Sequence, residues 1–358
     1  MNLSLQLLSS MLPENADAAI IISNTNRRYF TKFVSSAGYL FLTREEAYLL
    51  VDFRYGEAAK NQADGCEVIT FTELGKSLED IIKKHHVRKV MLEGSAFTVN
   101  DAEKMDKLLS SAGAESIKSS ALDTLISKMR IVKTSAEVDK MITAQRITEQ
   151  ALTETLKLVK EGVYEKDIAL ELEYKMRRLG AEGISFDLIV IAGEKTSMPH
   201  GVPGENRIKP GDFITFDVGA LYQGYHSDMT RTYALGFADD KQKRVYNTVF
   251  EAQKRGLEAV RSGAVCRDVD AAARDYIYQA GFEGCFGHST GHGVGLDIHE
   301  LPFVSSKSDV TLQSGMVVTV EPGIYLPGEF GVRIEDMVVV TADGCINLAT
   351  LPKELIIL

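Results

Sequence analysis

The chain has 358 residues. A single hydrophobic core does not usually accommodate a chain of this length, so we predict two domains. Hydrophobic residues make up 45% and charged residues 25%, as in globular proteins, and no biased tract predicts disorder. The 50 acidic and 40 basic residues give a formal net charge of −10 without any basic cluster. This balance argues against nucleic acid or an anionic membrane as a partner.

The four cysteines lie far apart and form no C-x-x-C pair, which indicates reduced thiols rather than a disulfide framework or a zinc knuckle. The N-terminal stretch MNLSLQLLSSMLPENADA has no basic segment and no small-residue cleavage site. Nowhere do 18 apolar residues follow one another. We therefore predict a cytoplasmic protein without a membrane span.

The N-terminal part alternates short apolar runs with helical patterns, which predicts a small α/β domain. The predicted strands are residues 18–22, 39–42, 47–51 and 88–92, and the predicted helices are residues 53–63 and 74–86. After IKSSALDTLI the pattern changes to long helices. We place the domain boundary there, so that residues 1–122 form the first domain and residues 123–358 the second.

The second domain contains an internal repeat. Its first helix has a clear start signal, because Thr134 and Glu137 match a capping box. The segments GDFITFDVG, from Gly211, and GMVVTVEPG, from Gly315, both fit G-x-x-x-T-x-[D/E]-x-G at an offset of 104 residues. Helical patterns repeat at nearly the same offset. Each half therefore reads helix, helix, strand hairpin, and the chain as a whole is predicted to be α+β.

Each hairpin carries two carboxylates, Asp217 and Asp228 in the first and Glu321 and Glu335 in the second. Strand alternation places Asp228 on the face shared by His226 and Thr230, and Glu335 on the face of Arg333. Two such acids about 4 Å apart would repel by about 4 kcal/mol at an effective dielectric constant near 20. Arg333 alone cannot neutralise four of them, whereas two divalent cations can.

A nitrogen ligand is expected from FGHSTGHGVGLDIHE, where His288, His292 and His299 alternate with glycines that allow close backbone approach. Four carboxylates and one imidazole form an oxygen-rich set that favours Mn²⁺ or Co²⁺ over Zn²⁺. A pair of such ions lowers the pKa of a bound water and polarises a carbonyl. The chemistry this predicts is hydrolysis.

Five segments resemble, in order, the motifs of the proline-specific metallopeptidases, the group of Xaa-Pro dipeptidase (prolidase) and aminopeptidase P, related to methionine aminopeptidase and creatinase. They are SFDLIVIAGEKTSMPHGVPG, GDFITFDVGALYQGYHSDMTRT, GHSTGHGVGLDIHE, GMVVTVEPGIY and GVRIEDMVVVT. The stretch NRRYFTKFVSSAGYLFLTREEAYLLVDFRY resembles that group's creatinase-like N-terminal domain. The resemblance implies a pita-bread catalytic domain, a duplicated sheet wrapped by helices, and a homodimer.

The resemblance also implies roles for individual residues. Asp217 would chelate one metal ion, Asp228 and Glu335 would bridge both ions, and His292 and Glu321 would bind the other. Glu321 would also accept the proton of the attacking water. The implied catalytic set is completed by two histidines that face the substrate and hold the scissile carbonyl, and by two residues that orient ligands and substrate: His200, His299, His288 and Arg333.

Two positions depart from the pattern. In HELPFVSS, Phe303 stands where many prolidases have an arginine expected to hold the carboxylate of a dipeptide, which favours a longer substrate. We therefore predict an Xaa-Pro aminopeptidase acting on short proline-containing peptides, with an Xaa-Pro dipeptidase as the alternative. His226 lies two residues before Asp228, and a packed or supporting role is preferred to metal binding.

Two further readings of the sequence are a metal-free creatinase-like hydrolase and an inactive binding protein on the same scaffold. Both predict missing metal ligands, and here all five positions are filled. Both are therefore disfavoured.

Overall fold

A computed structural model describes residues 1–358. The chain forms two compact units, Met1–Met129 and Arg130–Leu358. The boundary predicted after residue 122 falls inside a helix, Ala121–Arg130, whose Leu122 and Ile126 are buried in the core of the first unit. None of the helices combines the length and the apolar composition that a membrane crossing requires.

The first unit is a six-stranded sheet with helices on both faces. Its strands are β1 (Ala18–Ile21), β2 (Tyr39–Thr43), β3 (Ala47–Val51), β4 (Glu67–Thr70), β5 (Lys89–Glu93) and β6 (Glu115–Ser119), in the order β4-β3-β2-β1-β5-β6. Its helices are α1 (Leu3–Met11), α2 (Asn24–Thr31), α3 (Gly56–Gln62), α4 (Leu74–Lys84), α5 (Val99–Ser111) and α6 (Ala121–Arg130). Each strand and helix predicted for this part of the sequence corresponds to one of these elements.

Strand β1 explains why apolar runs signalled these strands. Ala18 and Ile20 pack on one face with residues of α4 and α5, whereas Ala19 and Ile21 pack on the other face with residues of α1 and α6. A strand covered on both faces is apolar at every position rather than at every second one.

The second unit contains the predicted repeat. Its helices are α7 (Ser135–Leu156), α8 (Glu165–Arg178), α9 (Asp240–Ala259) and α10 (Cys266–Ile277). The strands of its first half are β7 (Gly183–Ile184), β8 (Ile189–Ala192), β9 (Phe213–Val218), β10 (Ala220–Tyr222), β11 (Tyr225–His226) and β12 (Met229–Ala234). Those of its second half are β13 (Gly291–Gly293), β14 (Glu300–Val304), β15 (Val317–Val320), β16 (Gly323–Leu326), β17 (Phe330–Arg333), β18 (Asp336–Val340) and β19 (Cys345–Asn347).

Each half has one principal antiparallel hairpin. Strand β9 pairs with β12, and β15 pairs with β18, so both copies of the repeated motif begin a hairpin. The capping box predicted at the start of α7 is present, with Thr134 and Glu137 bonded to each other's backbone. The two halves meet where the Glu335 amide donates to the Thr230 carbonyl, at 3.1 Å.

Candidate active site

The four predicted carboxylates lie at the same end of the two hairpins. The β9–β12 ladder ends with Val218 opposite Met229, next to Asp217 and Asp228. The β15–β18 ladder ends with Val320 opposite Asp336, next to Glu321 and Glu335. Because the two ladder ends face one another across the Thr230–Glu335 contact, the acids of both halves converge.

A tight cluster forms at this meeting point. Ligand atoms of Asp228, His292 and Glu335 all lie within 4.8 Å of one another, and all three residues are buried. His292 Nε2 is 3.5 Å from Asp228 Oδ2 and 3.4 Å from Glu321 Oε1. The sequence thus identified side chains that the fold brings together from positions more than 100 residues apart.

The glycines around His292 have a steric reason. A Cβ atom at Gly291 would lie 1.9 Å from the Thr319 carbonyl oxygen, and one at Gly293 would lie 2.3 Å from that of Leu301. No side chain fits in either place. Strand β13 can therefore enter between β14 and β15 only as Gly–His–Gly, which delivers His292 to the cluster.

The electrostatics of the cluster are those of crowded acids. Burial, followed by the charges of Asp217 and Glu321, raises the pKa of Asp228 well above its ordinary value. Burial, followed by Asp228 and Glu321, does the same to the pKa of Glu335. Burial also raises the pKa of Glu321 to about 8, although Arg333 acts in the opposite direction. The carboxylates of the site therefore carry more negative charge than its basic residues neutralise.

His292, unlike the acids, carries no charge near pH 7, because burial lowers the pKa of its imidazole to about 4. Its Nδ1 lies 3.0 Å from the Gly293 carbonyl oxygen, which leaves Nε2 directed towards the acids. A neutral imidazole among carboxylates that repel one another is a donor set that fits divalent cations.

Arg333 is the one strong base in this cluster. Its Nη2 donates to Asp217 Oδ2 at 2.6 Å, its Nη1 to the Tyr325 hydroxyl at 2.7 Å and its Nε to Thr230 Oγ1 at 3.1 Å. His288 Nε2 lies 2.8 Å from the same Tyr325 hydroxyl. Burial, and then the charge of Arg333, lowers the pKa of His288 to about 4. Arg333 and His288, the two residues predicted to orient ligands and substrate, therefore both contact the Tyr325 hydroxyl.

The cluster forms the floor of a cavity of about 750 Å³. His200 and His299 are exposed and line it, and the His299 ring lies 4.4 Å from that of His292 between centroids. Much of the remaining wall is apolar, with Phe186, Leu188, Ile189, Val202, Ile298 and Phe303. All nine predicted site residues border this one cavity.

His226 does not line the cavity. The chain leaves strand geometry at Ser227 and Asp228, so side-chain alternation does not carry across from His226 to Asp228. The His226 amide donates to the Gly295 carbonyl, and burial lowers the pKa of its ring. It is a packed histidine, as preferred from the sequence.

Three residues near the acids have contacts that the sequence did not predict. Thr230 Oγ1 donates to Glu335 Oε2 at 2.7 Å, and Thr319 Oγ1 donates to Glu321 Oε1 at 3.3 Å. Tyr325 connects Arg333 with His288. Thr319 had a signal, because it is the threonine of the repeated motif. Thr230 had a signal in the strand alternation that places it on the face of Asp228, whereas Tyr325 had none, because its partners are chosen by packing.

Comparison with known proteins agrees with this geometry. A family model described as metallopeptidase family M24 matches residues 139–342, and one described as the creatinase/prolidase N-terminal domain matches residues 5–132. An Xaa-Pro dipeptidase of Pyrococcus horikoshii is 35% identical over 358 residues, with 99% of both chains covered.

Solved structures are also similar to this chain. An Xaa-Pro dipeptidase from Bacillus anthracis has a TM-score of 0.94 and 40% identity, with 99% of both chains covered. An X-Pro aminopeptidase from Thermotoga maritima has a TM-score of 0.90 and 34% identity, covering 96% of this chain and 98% of its own. The predicted fold class and family resemblance are confirmed by these matches. The chain belongs to metallopeptidase family M24.

Proposed function

We propose that the protein is a dinuclear metal-dependent Xaa-Pro dipeptidase. The observation that carries this proposal is the convergence of four carboxylates and His292 at the floor of one cavity, in a chain of the M24 family. The aminopeptidase preference drawn from Phe303 is set second, because more of the relatives that align over nearly the whole chain are described as Xaa-Pro dipeptidases than as aminopeptidases.

The residues that would hold the ions are the four acids and His292, in the arrangement that the resemblance implies. Two divalent cations, with Mn²⁺ or Co²⁺ expected from the oxygen-rich donors and Zn²⁺ as the alternative, would supply Lewis-acid activation of water and of the peptide carbonyl. Bound cations would also offset the repulsion that raises the pKa values of Asp228 and Glu335.

The chain's own residues then have distinct tasks. Glu321 accepts the proton of the attacking water at its carboxylate, in keeping with a pKa that burial moves towards neutrality. His200 and His299 face the cavity and hold the scissile carbonyl. Arg333 fixes Asp217 through its 2.6 Å contact and so orients that ligand.

The apolar wall suits proline. An Xaa-Pro bond has no amide hydrogen, so a site that reads it must recognise the ring instead. Ile298, Val202 and Phe303 offer such a surface beside His200 and His299. A dipeptide fits easily in a cavity of about 750 Å³.

A second candidate, Xaa-Pro aminopeptidase, is favoured by one observation. Arg333 is the only lysine or arginine that lines the cavity, and it is paired with Asp217. Phe303 is 47% exposed on the cavity wall and offers no charge to the free carboxylate of a dipeptide. A longer peptide has no carboxylate at that place and loses nothing there.

A single assay separates the candidates. Metal-reconstituted protein is given Xaa-Pro dipeptides, Xaa-Pro-Yaa tripeptides and Xaa-Ala dipeptides, with a chelator-treated sample beside it. Cleavage of Xaa-Pro dipeptides alone is expected, and preference for tripeptides would favour the second candidate. Undiminished activity in chelator, or equal cleavage of Xaa-Ala, would contradict the proposed function. The homodimer is proposed from the resemblance and is tested by light scattering coupled to gel filtration.

A further inference from the structure

Two segments that border the cavity have no helix or strand geometry of their own. Residues 198–206 contain His200, and five consecutive residues of this segment, 199–203, line the cavity. Residues 286–290 contain His288. Irregular segments are the parts of a fold with the least intrinsic order, so side chains they carry are placed well only if other contacts fix the backbone.

The His200 segment is held by a buried carboxylate. Glu165, the first residue of α8, is 0% exposed. Its Oε1 accepts from the Ala192 amide at 2.8 Å and from Asn206 Nδ2 at 2.9 Å. Its Oε2 accepts from the Gly204 amide at 3.0 Å and from Lys195 Nζ. Two of the four donors, Gly204 and Asn206, belong to residues 198–206, and the other two, Ala192 and Lys195, lie shortly before this segment.

Lys195 extends the same anchor. Besides its ion pair with Glu165, its Nζ donates to the Val202 carbonyl at 2.8 Å, two residues beyond His200. The backbone of Glu165 adds a further contact, because its amide donates to the Asn206 carbonyl at 3.1 Å. The segment is therefore attached to α8 on the C-terminal side of His200.

The second half has a corresponding device on its own second helix. Asp270 of α10 is 1% exposed, and its Oδ1 accepts from the Thr290 amide at 3.2 Å and from Thr290 Oγ1 at 2.7 Å. Asp270 also binds Arg274 through both oxygens. Arg274 in turn donates to the carbonyls of Phe286 and His288 at 2.8 and 2.7 Å.

This second anchor reaches the acids as well. The Thr290 carbonyl accepts from the Glu321 amide at 2.7 Å. The chain of contacts thus runs from Asp270 through Thr290 to the backbone of the predicted proton acceptor.

Neither carboxylate lines the cavity, so neither touches a substrate. A buried charge is retained at considerable desolvation cost. Here each carboxylate contacts the segment that carries a site histidine both directly and through a basic side chain, Lys195 or Arg274, that donates to carbonyls of the same segment. We propose that Glu165 and Asp270 are positioning residues, each fixing one histidine-bearing segment of the cavity, Glu165 that of His200 and Asp270 that of His288. The consequence for catalysis rests on the proposed function, whereas the anchoring itself does not.

The anchoring is tested by hydrogen exchange on the metal-loaded full chain, comparing Glu165→Gln with Asp270→Asn. A glutamine turns one acceptor oxygen into a donor that faces other donors, so the contacts to Gly204 and Lys195, or to Ala192 and Asn206, are lost. We expect amide exchange in residues 198–206 to accelerate by about 10- to 100-fold in Glu165→Gln, as for the loss of a hydrogen bond to a charged group, with residues 286–290 unchanged. Asp270→Asn is expected to give the reverse pattern.

Each variant is thus the control of the other, and Leu312→Ala, in a core cluster that excludes both segments, is a third that reports general destabilisation. Acceleration of both segments alike in all three variants would mean that the carboxylates only stabilise the fold. Unchanged exchange of residues 198–206 in Glu165→Gln would also overturn the proposal. These results are independent of peptidase activity, so a protein without Xaa-Pro activity would refute the proposed function alone.

The catalytic consequence is tested by a double-mutant cycle with His200→Ala. If Glu165 acts through His200, Glu165→Gln lowers kcat/KM about 10-fold or more in the parent chain but little in the His200→Ala background, with bound metal unchanged in both. Additive losses would show that Glu165 acts on activity by another route and would overturn this part of the proposal.

Discussion

Glu335 and Asp336 are consecutive, buried carboxylates in opposite electrostatic surroundings. Burial and the nearby acids Asp228 and Glu321 raise the pKa of Glu335 well above its ordinary value. Burial acts on Asp336 in the same direction, but Arg231 and Lys353 outweigh it and lower its pKa. Glu335 therefore belongs to the acid cluster, which has an excess of negative charge. Asp336, the next residue, belongs to a second cluster, the neutralised cluster, in which basic side chains offset its charge.

The neutralised cluster is complete in the chain itself. Asp336 accepts from four side chains that approach from different elements: Arg231, Gln253, Asn347 and Lys353. Arg231 also donates to the backbone carbonyl of Glu335 at 2.6 Å, and this contact holds the backbone of that acid in place. The fold thus supplies cations that neutralise Asp336, whereas the acids around Glu335 are left with a negative charge that only ligands from outside the chain can offset.

The largest effect is expected from Asp228→Asn, which keeps the shape and removes one negative charge. Metal retention should fall together with turnover, by about 10³-fold or more in kcat, because Lewis-acid activation contributes several kcal/mol to the transition state. Metal content by mass spectrometry and kcat on an Xaa-Pro dipeptide measure the two effects. The metal-free variant should be no less stable than the metal-free parent, since the mutation relieves repulsion. A variant that kept both metal and turnover would show that Asp228 is no ligand.

The next effect is expected from Asp336→Asn, one step away from a proposed ligand. This change leaves Arg231 and Lys353 without their buried counter-ion, which typically costs about 3–5 kcal/mol. Urea unfolding of the metal-free chain measures the loss, and metal content at saturation should stay at the parent value. The exposed Asp343→Asn is the control and should change stability by less than about 0.5 kcal/mol. Equal losses in Asp336→Asn and Asp343→Asn would contradict the role of Asp336 as the buried counter-ion of Arg231 and Lys353.

The excess negative charge of the acid cluster should also make stability depend on pH when metal is removed. The pKa of Glu321 is about 8 in the folded chain against an ordinary 4.5, so the folded state binds more protons than the unfolded state in between. Stability gained in this way is complete below the ordinary pKa and is lost as pH rises through the folded value. Buried His288 and His292, with pKa values of about 4, act in the opposite direction only below 6.5.

The informative window is therefore pH 6.5 to 8. There the Tm of metal-free protein should fall, with a limit of about 1.4 kcal/mol per pH unit for each extra proton, or a few degrees. Calorimetry on metal-free and Mn²⁺-loaded samples measures it, and Glu321→Gln should reduce the decline. A metal-free Tm that rose across this window would contradict the excess of negative charge. Asp336 contributes no such decline, because its lowered pKa makes its stabilisation vanish only in acid.

The sequence predicted the acid cluster but not the neutralised one, and the reason is physical. Asp217 and Glu321 stand in a repeated motif, and Asp228 and Glu335 directly precede its return strands β12 and β18, so local pattern was enough to select them. The partners of Asp336 come from α9, β12, β19 and the C-terminal segment, and nothing local marks them as neighbours. Such choices are made by long-range packing.

Local pattern also has a limit along a single strand. Alternation correctly put Thr230 beside the acids, but it failed between His226 and Asp228 because the chain leaves strand geometry there. In the first unit, apolar runs revealed strands such as β1 and β3, whereas β4 and β6, whose residues are partly exposed and mixed in character, gave no comparable signal. Pattern therefore identified the elements that are most buried.

The smallest effect is expected at Thr230, which belongs to both clusters. Its hydroxyl donates to Glu335 Oε2 at 2.7 Å, whereas its carbonyl accepts from Arg231 Nη1 at 2.9 Å. Thr230→Val keeps the carbonyl contact and the shape but frees one oxygen of Glu335 and removes the acceptor of Arg333 Nε, which keeps its other contacts with Asp217 and Tyr325. Loss of a hydrogen bond that orients a metal ligand typically weakens metal affinity by about 10- to 100-fold, and the lower figure is expected because Glu335 keeps its buried position.

Metal titration by calorimetry measures this effect, and Thr232→Val is the matched control on the same strand. The Thr232 hydroxyl donates to the Arg333 carbonyl and contacts no carboxylate, so its loss should lower stability without changing metal affinity. Equal weakening of metal binding in both variants would mean that affinity depends on the strand as a whole. Weakening in Thr230→Val alone, with the Arg231 contact intact, would show that the two sides of this strand act separately even where they share a residue.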